Sequence, residues 1–224
     1  MKVQVGIVTR GNDINYRLAQ FMWLLTRNNH YTYPEPIIVR SPYHLRDGQR
    51  LLFACLGKRD FDYAFITDAD VACEVNTIDK LVEVREQAVV APVWMCDSNT
   101  NDIHLNVRLK GDVNPARYPR LQGVDQIEAA SFSCVLLSKK VFDTFRDNKE
   151  PYFEERGLKI NPLQTDEIFF RKLTKMGISS WIRWDIETIH YKIVDLSTKV
   201  INNFVSEFIE YRSWDEQRLL TRVS

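Results

Sequence analysis

Phe61-Asp62-Tyr63-Ala64-Phe65-Ile66-Thr67-Asp68-Ala69-Asp70 is the stretch on which the reading of the fold turns. Tyr63 to Ile66 is a short apolar run of strand character that empties into two aspartates spaced i, i+2. In extended backbone, residues two apart point to the same side, so both carboxylates are offered together, as hard oxygen ligands are offered to magnesium or manganese. Ligands of open α/β sheets bind beyond the carboxyl ends of the strands, which is where Asp68 and Asp70 fall. A turn or a helix N-cap would also use aspartates. Asn76 and Thr77 lie closer to the next helix start, with Asp79 in its first turn, so capping leaves Asp68 and Asp70 unexplained.

Upstream, Val3 to Thr9 is rich in β-branched residues and runs into Arg10-Gly11-Asn12-Asp13, a buried strand entering a loop. Leu18, Phe21, Met22 and Leu25 fall at helical spacing, with a stop near Asn28-Asn29. Ile37-Ile38-Val39 reads as a strand, and Asp47 as the cap of a helix through Leu51, Leu52 and Cys55 that stops at Gly57. Downstream, a helix from about Thr77 to Gln87 precedes the strand Val89-Val90-Ala91. Asp97 to Gly123 is polar and without sustained period, and reads as a long surface loop. A strand from Ile127 to Leu137, a helix from Lys139 to Phe145, a helix from Thr165 to Met176 ending at Gly177, and strand-like spacing from Trp181 to Tyr191 follow. Val200, Phe204, Phe208 and Ile209 suit an amphipathic helix in the tail after Leu196. Alternating strands and helices predict an α/β fold with a mainly parallel sheet and helices on both faces.

Composition narrows the function. A chain of 224 residues, 45% hydrophobic and 27% charged, suits one core. The formal net charge is zero with both signs interleaved, which argues against nucleic acid as a partner. The richest apolar run, Ala88 to Cys96, is short and broken by Pro92, far below the roughly 18 to 20 residues a transmembrane helix requires. Cys55, Cys73, Cys96 and Cys134 are widely separated in sequence and show no zinc spacing, so they read as buried thiols of a reducing compartment. The strand-like N-terminus does not suit a signal peptide, and a cytoplasmic location is expected, the host's cytoplasm for a viral protein.

The strand with its D-x-D and the later Val89-Val90-Ala91-Pro92 resemble the GT-A family of nucleotide-sugar glycosyltransferases. Further segments match in order. Val124 to Leu137, with Ser131, is similar to the strand that family runs behind the donor sugar, and Val141-Phe142-Asp143 to the helix after it. Thr165-Asp166-Glu167-Ile168-Phe169-Phe170 is similar to the acidic motif opening the catalytic helix, and Ile189-His190-Tyr191 to the histidine after the last strand. The likeness covers roughly residues 3 to 192 and is greatest to short, free-standing members such as those of archaeal viruses. Many members have Glu-Asp where this chain has Thr165-Asp166, and a glycine where it has Ala129-Ala130.

The resemblance implies a single GT-A domain over 1–224, with a nucleotide-binding half (1–95), a donor-sugar and acceptor half (96–192) and a helical tail (193–224). It implies Mn2+ or Mg2+ on Asp68, Asp70 and His190, and a nucleoside-diphosphate sugar as donor. Asp166 would be the base, Asp68 and Ser131 would contact the donor, and a glycan, protein or lipid-linked hydroxyl would accept the sugar with inversion. Placement at strand ends adds Thr9, Arg10, Arg40 and Ser41 as nucleotide contacts, and Lys192 as a phosphate contact. The bland readings stand beside these. A first-turn acid such as Asp166 is favoured by the helix dipole alone, and Glu167, Asp125 and Glu128 are alternative bases. Trp94, Trp181 and Trp184 could each face a sugar, though strand aromatics usually fill cores. Nucleotidyl transfer is a rival activity, but Arg10-Gly11-Asn12-Asp13 lacks a glycine-rich basic loop. An aspartate phosphohydrolase would carry its D-x-D on the first strand, and a nucleotide-sugar binding module would bind the donor without turnover.

Overall fold

The computed structural model describes residues 1–9, 14–27, 30–41, 45–96, 103–105, 107–111, 122–153 and 164–190. Its first half runs β1 (Val3–Thr9), α1 (Tyr16–Arg27), β2 (Ile37–Arg40), α2 (Leu45–Leu56), β3 (Tyr63–Asp68), β4 (Val71–Cys73), α3 (Thr77–Glu83), β5 (Ala88–Val90) and β6 (Trp94–Cys96). The second half runs β7 (Ile103–Leu105), β8 (Val107–Leu109), β9 (Val124–Ala130), β10 (Cys134–Ser138), α4 (Lys139–Asp147), α5 (Gln164–Lys175), β11 (Ser180–Arg183) and β12 (Thr188–His190).

Eight strands form one sheet in the order β2-β1-β3-β10-β5-β11-β9-β8. Only β9 and β10 run against the other strands, so the sheet is mixed with a dominant direction. The pleat sends alternate side chains to two cores. Ala64, Ile66, Val135 and Leu137 join Leu52 and Phe53 of α2, Phe142 and Phe145 of α4, and Phe169 and Phe170 of α5. Val5, Ile7, Phe65 and Leu136 join Leu18, Phe21 and Leu25 of α1 and Ile78 and Leu81 of α3 on the other face. The expected arrangement, helices on both faces of the sheet, is therefore present. Helix α2 lies so close to β1 that a Cβ on Gly6 would meet Leu52 Cδ1 at 2.9 Å. Among the described residues no helix is long and apolar enough to cross a membrane.

The structure departs from the sequence reading where both faces of a strand are buried. The run Ile127 to Leu137 is two strands, broken at Ser131-Phe132-Ser133. Phe132 turns into the aromatic core there, its ring 5.1 Å from Phe53 and 5.0 Å from Phe169. The break carries the chain from β9, between β11 and β8, to β10, between β3 and β5. Between Asp97 and Gly123 the described residues include two short strands: β7 pairs with β6 in a small separate sheet, and β8 joins the main one. Strands of three residues are too short to display a period. Trp181 to Tyr191 likewise divides into β11 and β12, separated by a bend in which Asp185 takes Arg183 Nε at 2.7 Å.

Caps also differ. Asp47 lies within the first turn of α2, and Thr165 inside α5, since each helix begins earlier than its polar residue suggests. Asn76 occupies the N-cap of α3, yet its side chain makes no capping bond. That helix stops at Glu83, short of Gln87, and Arg85 takes a left-handed φ of 61°. The expected stop at Asn28-Asn29 and the tail helix lie outside the described residues.

The stop at Gly177 is as expected. Gly177 has φ +77°, its N–H donates to Thr174 O at 3.1 Å, and Ile178 N–H donates to Leu173 O at 2.9 Å, the paired bonds of a Schellman cap. Gly177→Ala is expected to lose about 1 kcal/mol, because an L side chain is strained in this region. An unchanged urea midpoint would contradict the role given to this cap.

Candidate active site

The strand order β2-β1-β3 places β1 between the strands that precede and follow α2, so the direction of chain progression reverses at β1. A crevice beyond the carboxyl ends of β1 and β3 follows from this reversal. Register puts Thr9 opposite Arg40 and Val8 opposite Asp68, so Thr9, Arg40 and Asp68 share one edge. Thr9 and Ser41 are buried, and the Ser41 N–H donates to Thr9 O at 2.8 Å, whereas Arg40 is exposed. Arg10 and Lys192 lie outside the described residues.

Asp68 is held from the far side of the crevice. Ser133 Oγ donates to Asp68 Oδ2 at 2.7 Å, Ser131 Oγ donates to Ser133 Oγ at 3.0 Å, and Thr67 Oγ1 donates to Ser133 O at 2.9 Å. Ser131 thus reaches the D-x-D through Ser133, a residue whose own part was not singled out from the sequence. Two small hydroxyl residues flanking a phenylalanine inside an apolar run were the available signal. The turn after Asp68 is pinned by Ala69 N–H to Val8 O at 3.0 Å and by Asn15 N–H to Ala69 O at 3.0 Å.

Asp70 and His190 meet because β12 pairs antiparallel with β4, setting His190 opposite Val71. His190 Nδ1 lies 2.8 Å from Trp94 O, and a ring nitrogen facing a carbonyl must be the N–H donor. In the tautomer protonated only at Nδ1, Nε2 presents its lone pair to Asp70 Oδ2, 3.3 Å away. Two acceptors face each other across that gap, and only a proton or a cation between them removes the repulsion. A histidine whose far nitrogen is anchored by a backbone carbonyl is oriented as metal-ligating imidazoles are. Its side chain is 4% exposed, while that of Asp70 is 42% exposed and open to a ligand. Among the described residues no three His, Cys, Asp or Glu side chains close a protein-only cage. Donors so arranged fit an open divalent site that leaves positions for phosphate oxygens and water.

Asp166 stands in the first turn of α5, near enough to Asp68 to feel its charge. Burial and the Asp68 charge push its carboxyl up to about 7, against the opposing hydrogen bonds from the Phe132 N–H and the Gln49 side chain. A first-turn acid held there only by the helix dipole would shift the other way. The three alternative bases are engaged elsewhere. Glu167 is held below its usual range, since hydrogen bonds and charge from Arg108 and Arg171 outweigh its burial. Glu128 pairs with Arg108 Nε at 3.3 Å and accepts from Gly111 N–H, and Asp125 accepts Trp184 Nε1 at 2.7 Å. Trp184 is buried in the core, Trp181 is half-buried on β11, and Trp94 meets His190 through its carbonyl.

No protein-family model and no curated protein matches the sequence. Solved structures do match. The chain is similar to A197 from STIV, with a TM-score of 0.57 and 12% identity over 86% of this chain and 87% of that one. It is also similar to GalNAc-T7, crystallised with UDP, GalNAc and Mn2+, with a TM-score of 0.55 and 11% identity over 94% of this chain. The match spans 50% of the GalNAc-T7 chain. At such identities the likeness speaks to architecture, and the architecture is the GT-A fold.

Proposed function

We propose that the protein is a metal-dependent glycosyltransferase that moves a sugar from a nucleoside-diphosphate sugar to an acceptor hydroxyl with inversion. The observation that carries this reading is the Asp70 and His190 pair at the end of β3, with Asp166 near enough to Asp68 to feel its charge. In this reading residues 1–95 hold the nucleotide, with Thr9, Arg10, Arg40 and Ser41 at the base and ribose and Lys192 near the phosphates. Residues 96–192 hold the donor sugar and a glycan, protein or lipid-linked acceptor, in the cytoplasm. Asp70 and His190 would hold Mn2+ or Mg2+, which offsets the charge that develops on the departing diphosphate.

Asp68, fixed by Ser133, contacts the ribose or metal-bound water, and Ser131 lies behind the donor sugar. Asp166 takes the proton from the acceptor hydroxyl as its oxygen bonds to the anomeric carbon. Its raised carboxyl is suited to that work, because a base near the ambient pH combines availability with basicity. Gln49 and the Phe132 N–H fix the direction of the carboxylate.

Thermal unfolding with UDP-, GDP- and other nucleotide sugars, with and without Mn2+, tests the reading. A donor at a hundredfold its Kd adds about 2.7 kcal/mol. That raises the melting temperature by about 5 to 10 °C in a domain of this size. The shift is expected for one base family and only with metal. A panel in which no nucleotide sugar adds to the effect of Mn2+ alone refutes donor binding, while binding without transfer or hydrolysis supports the non-catalytic module.

A further inference from the structure

Cys73 and Cys134, separated in sequence, meet at an Sγ–Sγ distance of 3.5 Å. Cys73 ends β4, just after the Asp68–Asp70 turn, and Cys134 begins β10, next to the Ser133 that holds Asp68. The two sulfurs therefore meet between the strand that follows the D-x-D and the strand that supports it. Cys73 is half-buried and lines a surface groove with Arg17, Phe21, Val75 and Ile189, whereas Cys134 is buried behind it. We propose that this dithiol is an oxidative modification site, at which hydrogen peroxide closes a Cys73–Cys134 disulfide that distorts the Asp68–Asp70 turn.

Peroxide arriving through the groove reaches Cys73 first. The Cys73 sulfur attacks one peroxide oxygen and becomes a sulfenic acid, and the other oxygen leaves as water with the thiol proton. The Cys134 sulfur then attacks the Cys73 sulfur, and the hydroxyl departs as a second water carrying the Cys134 proton. Two thiols lose two electrons and two protons, and one peroxide becomes two waters. Cys134, buried behind Cys73 and in contact with it, is shielded from peroxide and placed to attack the sulfenic acid once it forms on Cys73. Closure from 3.5 Å ties β4 covalently to the start of β10. The crosslink would adjoin the turn held by the Ala69 N–H bond to Val8 O and, through the β4–β12 pairing, the seat of His190.

The metal consequence rests on the function proposed above; the modification itself does not. Purified, reduced full-length protein is treated with hydrogen peroxide, blocked with N-ethylmaleimide and mapped by mass spectrometry, with Cys73→Ser alongside. Amide exchange of the peptide spanning Asp68 to Cys73 and titration with Mn2+ are followed in the reduced and oxidised forms. The expected result is a Cys73–Cys134 crosslink that dithiothreitol reverses and Cys73→Ser abolishes, exchange at the turn at least several-fold faster, and Mn2+ affinity at least tenfold weaker. Peroxide that leaves these two cysteines uncrosslinked overturns the proposal, as does a crosslink that leaves turn exchange unchanged. Absence of Mn2+ binding in both forms counts against the metal site, and the exchange comparison then decides the proposal by itself.

Discussion

Asp166→Asn is expected to lower turnover by about 10² to 10⁴-fold, to change donor affinity little, and to raise the melting temperature at neutral pH. The first effect follows from a base that acts only in the transition state. The last follows from burial beside Asp68, which holds the folded-state carboxyl at about 7 against a reference value of 3.8. Between those values the folded protein binds the extra proton, so this group makes stability fall as pH rises from about 4 to about 7. Asparagine cannot ionise and escapes that loss, which approaches about 4 kcal/mol as an upper limit above pH 7. The variant should match wild type in stability near pH 4 and exceed it by several degrees at pH 8. In wild type, kcat/KM should fall on the acid side at or below about pH 7, since a cation at Asp70 and Asp68 would relieve part of the repulsion on Asp166. Melting curves from pH 4 to 8 and a pH–rate profile test both halves. A variant with normal turnover removes Asp166 as base, and attention then passes to Glu167→Gln, Asp125→Asn and Glu128→Gln.

Asp70→Asn is expected to abolish the metal-dependent part of donor affinity while leaving the fold intact, because the side chain is 42% exposed and removing its charge opens no cavity. A plain ion pair between Asp70 and protonated His190 makes a different forecast. It would cost at most about 1 kcal/mol, weaken stability only where the imidazole is charged, and leave metal dependence untouched. His190→Ala separates the two, since the metal reading expects it to weaken Mn2+ binding as well. Calorimetry with Mn2+ and donor on both variants is decisive, and unchanged metal-dependent affinity in Asp70→Asn defeats the metal assignment.

What the sequence made legible was chemistry placed at the end of a buried strand. Tyr63 to Asp68 could be read because an apolar run ends in charge, and the helix ending at Gly177 because one residue must take a left-handed turn. The break at Ser131-Phe132-Ser133 was hidden, since the buried Ala129-Ala130 of β9 leads into a β10 that is apolar toward both cores and offers no alternation to interrupt. With it were hidden Ser133 as the support of Asp68 and the contact of Cys134 with Cys73, both of which depend on β10 inserting beside β3. Gln49 was illegible for a similar reason. Nothing in α2 alone tells that Gln49 meets a carboxylate on α5.

The insertion of β10 also constrains how the chain can be made. During synthesis β1, β2, β3 and β5 leave the ribosome before the strand that joins β3 to β5 exists. Until Ser138 has emerged, β3 presents an open edge and β5 has no neighbour, since its partners are β10 and β11. Such edges template pairing with other nascent chains. Completion of the sheet therefore waits on contacts distant in sequence, a topology that folds slowly and only after most of the polypeptide has been translated.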